Sequence, residues 1–107
     1  NTGDKSISVG ENSILEAKGI NIDNTKIGVA VKDGSIANLK NLNISSSEYP
    51  IAVYIKKQDF GLGNINIKNL ILKNNLNPLI LEEGSIFNFD NNYPIQIKKN
   101  VFTKIYP

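Results

Sequence analysis

The chain has 107 residues, enough for one domain with a real core but not for two. Its twelve basic residues are all Lys, its acidic residues number ten, the net charge is +2, and it has no Cys, His, Met or Trp. That composition excludes a disulfide framework, a thiolate metal site and His-based catalysis at neutral pH, and its small net charge, interspersed lysines and lack of Arg argue against nucleic-acid binding.

Taken in chain order, short apolar segments alternate with turn formers. ISV (7–9) is followed by SILEA (13–17) and AKGINI (17–22); then come IGVAV (27–31), SIANL (35–39) and LKNLNI (39–44). IAVYI (51–55) leads through the least repeat-like stretch, KKQDFGLG (56–63), into NINI (64–67) and IKNLIL (67–72). The last elements are LIL (79–81), SIFNF (85–89) and IQI (95–97). Each alternates with period two and is rich in Ile, Leu and Val, which is a strand signature, and no window predicts a helix.

The phrase AKGINI, LKNLNI, IKNLIL recurs at intervals of 22 and 28 residues, always in the same order and direction. Strands that must stack in register between turns free to bulge outward would produce that drift. The fold class expected is therefore all-β: a right-handed parallel β-helix of four to five short coils with three strands per coil. A small antiparallel sandwich built from the same strands is the alternative. Gly19, Asn41 and Asn69 occupy one place in the phrase and are the residue types that best tolerate a left-handed conformation, so they are expected at stacked corners. Tyr49-Pro50, Asn77-Pro78 and Tyr93-Pro94 each precede an apolar strand.

Strand parity assigns the core. Ile27, Val29 and Val31 should stack on Ile51, Val53 and Ile55, then Leu79 and Leu81, then Ile95 and Ile97. A second ladder is Ile36 and Leu39 with Ile65 and Ile67. The third is Ile20, Leu42 and Leu70 beside Ile22, Ile44 and Leu72. Outward on the first strand lie Gly28, Ala52, Ile80 and Gln96, then Ala30, Tyr54, Glu82 and Lys98. That partly apolar strip suits a sugar-stacking groove, a surface covered by another segment, or simply small residues easing the turns.

The candidate ligand-binding residues are Tyr54, Lys56, Lys57, Asp59 and Phe60, on a Gly-rich loop projecting from a rigid wall, where the lysines would meet an acidic polysaccharide. Phe60 folded back over the core is the structural alternative. No catalytic constellation is evident. Asp33 and Glu83, in the equivalent turns KDGS and EEGS, would lie about 9–10 Å apart across two layers, near the range of an inverting carboxylate pair. No metal, cofactor, nucleic acid or membrane span is expected. The asparagine at position 1 and the lack of Met lead to the expectation of a C-terminal piece of a longer chain. Residues 100–107 are expected to fold across the last coil as a cap, with Phe102 and Tyr106 covering the core near Phe87 and Phe89. Open coil ends would pair with upstream sequence or with another copy of the chain.

The runs SISVGENS (6–13), KIGVAVKDGS (26–35) and AVYIKKQDFG (52–61) resemble the right-handed β-helix segment of bacterial surface or secreted proteins that accompanies spore-coat-H-type (CotH) kinase-like domains. More loosely, the coil pattern is similar to the pectate-lyase superfamily, although the Arg and clustered Asp of a lyase are missing. The resemblance implies a non-catalytic module of a cell-envelope or secreted protein, a rigid spacer or carbohydrate- or partner-binding surface. The alternative is a fragment of a polysaccharide lyase or glycoside hydrolase.

Overall fold

Period-two segments separated by Asn, Gly and Asp have few options but extended strands joined by tight turns, and the computed structural model, which describes residues 4–56, 60–90 and 92–107, is mostly β. The strands are β1 (Lys5–Val9), β2 (Ile14–Asp23), β3 (Ile27–Lys32), β4 (Ile36–Ser45), β5 (Tyr49–Tyr54), β6 (Asn64–Lys73), β7 (Leu79–Glu82), β8 (Ile86–Phe89) and β9 (Ile95–Lys98). They form two parallel sheets, in the orders β1-β3-β5-β7-β9 and β2-β4-β6-β8. Parallel pairing throughout excludes the antiparallel sandwich.

The chain uses two strands per repeat where three were expected. SILEA and INI run together as β2, and their equivalents as β4 and β6, with the corner inside the strand. Gly19, Asn41 and Asn69 take φ of 69°, 57° and 60° at that corner. Pairing continues on both sides of it: Lys18 with Lys40 and Lys68, Ile20 with Leu42 and Leu70. One left-handed residue turns the strand, and the ladder skips only that residue before resuming in the same register. Two further sets of positive-φ residues mark the other bends: Asn24, Ser46 and Asn74, then Glu11-Asn12 and Asp33-Gly34.

The core between the sheets is the expected aliphatic one, with three corrections, the simplest being that Ile97, expected beside Leu81 in the core, is exposed on the last strand. The ladder Ile20/Leu42/Leu70 beside Ile22/Ile44/Leu72 is in the register expected. In the first sheet β5 begins two residues early. Ile27 therefore pairs with Tyr49, and Val29 with Ile51. Gly28 permits this entry, since a Cβ there would sit 2.5 Å from the Pro50 carbonyl oxygen. Ile27 then packs in a second cluster outside the main core, and Ile55 falls beyond β5. In the second sheet Ala37, not Ile36, points inward over Ile65. Each buried aliphatic side chain contributes about 1.5–3 kcal/mol.

The carboxyl-terminal segment departs furthest from expectation. Residues Val101–Ile105 form a short helix, α1, that lies on the outer face of the first sheet rather than across the last layer. Val101 and Ile105, one helical turn apart, bury against Ala30, Ala52, Tyr54 and Ile80. Phe102 meets the Tyr54 ring at 5.7 Å, whereas Phe87 and Phe89 stack on each other, with Phe89 against the main core. The small outward residues of β3 and β5 leave the room that α1 fills, so the apolar strip is a surface covered by its own chain. Ala30, Ala52, Ile80 and Gln96 form one column of it.

Both ends of the stack are partly open. Ile7, Leu15, Ala17 and Ile20 are only partly covered at one end, and Ile86, Phe87 and Ile97 are exposed at the other. Below β6 the ladder is stopped by side chains: the Asp90 carboxylate accepts the Asn69 N–H with both oxygens at 2.9 Å, and the Tyr93 hydroxyl accepts the Leu72 N–H at 3.2 Å.

Candidate functional site

Three of the five residues expected to bind a ligand, Tyr54, Lys56 and Phe60, are among the described residues. Lys57 and Asp59 lie outside the described residues. Tyr54 ends β5 with its ring beneath α1, 1% exposed, and burial pushes its hydroxyl pKa up to about 12. Lys56 donates its backbone N–H to the Asp33 carboxylate at 2.8 Å and places its ammonium 5.9 Å from the Phe102 ring. Phe60 is half-buried, with its carbonyl close to Gly34. Asp33 itself is buried at its turn, so its carboxylate serves the backbone there.

A basic and aromatic cluster surrounds α1. The Tyr106 hydroxyl donates to the Asp4 carboxylate at 2.8 Å, and the Lys5 ammonium meets the same oxygen at 2.6 Å. Hydrogen bonds from Lys5 and Tyr106 hold the Asp4 carboxyl below its usual range. Burial opposes the Lys5 charge, but Asp4 and Tyr106 outweigh it and raise the lysine. Burial pushes the Tyr106 hydroxyl upward too. Lys26 sits 4.6 Å over the Tyr106 ring and Lys5 5.1 Å from it. Burial, then the nearby charges of Lys5 and Lys56, depress Lys32. At the other end of α1 the Glu82 carboxylate accepts the N–H groups of Asn100 and Val101 at 2.9 and 3.1 Å. Contacts from Glu82 on β7 to Asp4 beside β1 make α1 a strap over several layers, and its polar groups are committed to holding it.

A cleft of about 420 Å³ opens beside Leu72, Asn75, Leu76, Asn77 and Tyr93. Two of its amides are also committed: Asn75 accepts from the Ser47 N–H and donates to the Ile44 carbonyl, and Asn77 donates to the Glu48 carbonyl.

The outer face of the second sheet is organised differently. Strand register stacks like on like in columns: Ile14, Ile36, Asn64 and Ile86; Glu16, Asn38, Asn66 and Asn88; Lys18, Lys40 and Lys68. Asn66 donates to Asn38 at 2.9 Å, Asn69 to Asn41 at 2.7 Å and Asn43 to Asn21 at 2.8 Å, so amides link one layer to the next on both sides of the corner. All three lysines are exposed, and among the described residues none makes an ion pair. Sequence reasoning passed over these lysines, although each is the second letter of the recurring phrase.

Among the described residues, no three His, Cys, Asp or Glu side chains gather as a metal site, and no helix is long and apolar enough to cross a membrane. Comparison with protein-family models, curated proteins and solved structures returned no match.

Proposed function

We propose that this chain is a non-catalytic module whose layers close as a right-handed parallel β-helix and whose rigid outer face displays side chains at a fixed repeat for binding. The three sets of positive-φ corners support closure into coils, and right-handedness follows from the near-universal hand of parallel crossovers. The observation that carries the binding reading is the in-register stacking of like polar side chains across β2, β4 and β6. Such a surface suits a partner that itself repeats, and a polysaccharide is the partner proposed. Placement of the protein in a bacterial envelope or secretion rests on the resemblance of the coil sequences alone.

Incubation with pectin, alginate and hyaluronan followed by mass spectrometry of the glycans tests the non-catalytic reading. Intact polymers are expected. Shortened or unsaturated products would establish the lyase or hydrolase instead.

A further inference from the structure

We propose that the Lys18/Lys40/Lys68 column binds a linear acidic glycan, with one carboxylate per sugar ring, lying along the stacking axis and across the strands. This deepens the binding-module reading and rests on it.

The ladder gives the site its spacing. Parallel in-register strands put successive lysines about 4.8 Å apart at the backbone, so three ammonium groups are offered along one line at a repeat close to that of a sugar ring. Like charges directly opposite one another on neighbouring strands are destabilising, and the fold does little to relieve them. Glu16 lies two residues from Lys18 in the first layer, but its equivalents in the next layers are Asn38 and Asn66. Asp90, the nearest acid after β8, gives both carboxylate oxygens to the Asn69 N–H. A ligand that repeats its negative charge would satisfy all three lysines together.

The neighbouring columns favour a glycan over other polyanions. On either side of the lysines, the Asn38–Asn66 and Asn41–Asn69 pairs hold amide groups at the layer repeat, suited to a polymer lined with hydroxyls. Beyond Asn38, exposed Ile14 and Ile86 offer apolar surface to sugar C–H faces. These columns hold no aromatic side chain on which an unpaired nucleobase would stack. The other lysine cluster is a poorer candidate, because Lys5, Lys26 and Lys56 already lie against Asp4 or the rings of α1.

The test is titration calorimetry of the full chain with alginate oligomers, neutral dextran oligomers and single-stranded RNA, at low and at moderate salt. Two variants are compared: Lys18→Gln/Lys40→Gln/Lys68→Gln, and Lys73→Gln/Lys98→Gln/Lys99→Gln, which loses the same charge from elsewhere. The unchanged chain and the second variant should bind alginate in a salt-dependent way and ignore dextran. The first variant should lose about tenfold or more in affinity, since several charge contacts go together. Its thermal unfolding should be unshifted or slightly raised, because a repulsion has been removed. Absence of alginate binding, equal loss in both variants, or RNA binding as tight as alginate binding would each overturn the proposal. If alginate is left uncleaved but also unbound, the acidic-glycan site falls while the non-catalytic reading stands.

Discussion

The outer faces of the two sheets are built on the same backbone and do opposite things. On the first, small and apolar outward residues, Ala30, Ala52 and Ile80, are roofed by Val101 and Ile105 of α1. On the second, Lys18, Lys40 and Lys68 stand exposed beside the half-buried, linked Asn38 and Asn66. Stacked layers in a repeat fold contact only their neighbours, so stability is ordinarily a sum of local terms. The strap changes this on one face, because α1 is held at Glu82 and again at Asp4, which belong to non-adjacent layers. The covered face therefore couples layers, whereas the bare face leaves its lysine column exposed, as the proposed binding surface requires.

The sharpest way to break that contrast is to spoil the roof. Ile105→Asp places an unpaired carboxylate against Ala52 and Tyr54, and it should cost about 3–5 kcal/mol in urea unfolding. A loss no greater than that of a surface substitution would mean that α1 does not hold the layers. Alkali attacks the same place more gradually. The folded Tyr54 value of about 12 lies above its usual 10.0, so the neutral form is favoured by folding. Its contribution is complete below pH 10 and is lost as pH rises towards 12. Tyr54→Phe should remove the latest component of the tyrosinate absorbance titration and flatten the alkaline fall in stability. An unchanged titration would show that Tyr54 is not the buried phenol.

On the second sheet the expected effects are smaller. Asn69→Val forces a β-branched residue to φ near 60° and removes the amide link to Asn41, which should cost about 1–2 kcal/mol. A neutral result in urea unfolding would contradict the corner. Lys40→Gln should fall within about 0.5 kcal/mol of the parent, tending to stabilise, because it only relieves a like-charge column. Measurable destabilisation in the same assay would show that Lys40 has a structural partner.

Much of this architecture was legible in the recurring phrase. Its order and direction required parallel pairing, and Gly19, Asn41 and Asn69 announced a corner because few other residues accept a left-handed backbone. The register of β5 was not legible, because it depends on the Pro50 carbonyl approaching Gly28, a contact between layers that no single segment encodes. Nor was α1. VFTKI is short and β-prone in isolation, and it becomes helical where Glu82 accepts its first N–H groups and Val101 and Ile105 find an apolar strip. Tyr54 itself misled for the related reason that an outward position on a strand need not face solvent. The lysine column was in view all along, but like charges in successive repeats acquire meaning only once register puts them side by side.

That register is the claim on which both faces depend, and cross-linking reads it directly. The chain has no cysteine of its own, so a pair introduced as Lys40→Cys/Lys68→Cys has no competitor. In-register layers place these Cα atoms about 4.8 Å apart, inside the usual disulfide range, whereas Lys40→Cys/Asn66→Cys would span about 8 Å and could not close without moving the backbone. The account predicts rapid, complete intramolecular oxidation of the first pair with unfolding stability retained or raised, and none of the second. Failure of the first pair to oxidise, or equal oxidation of both, would contradict the stacked register.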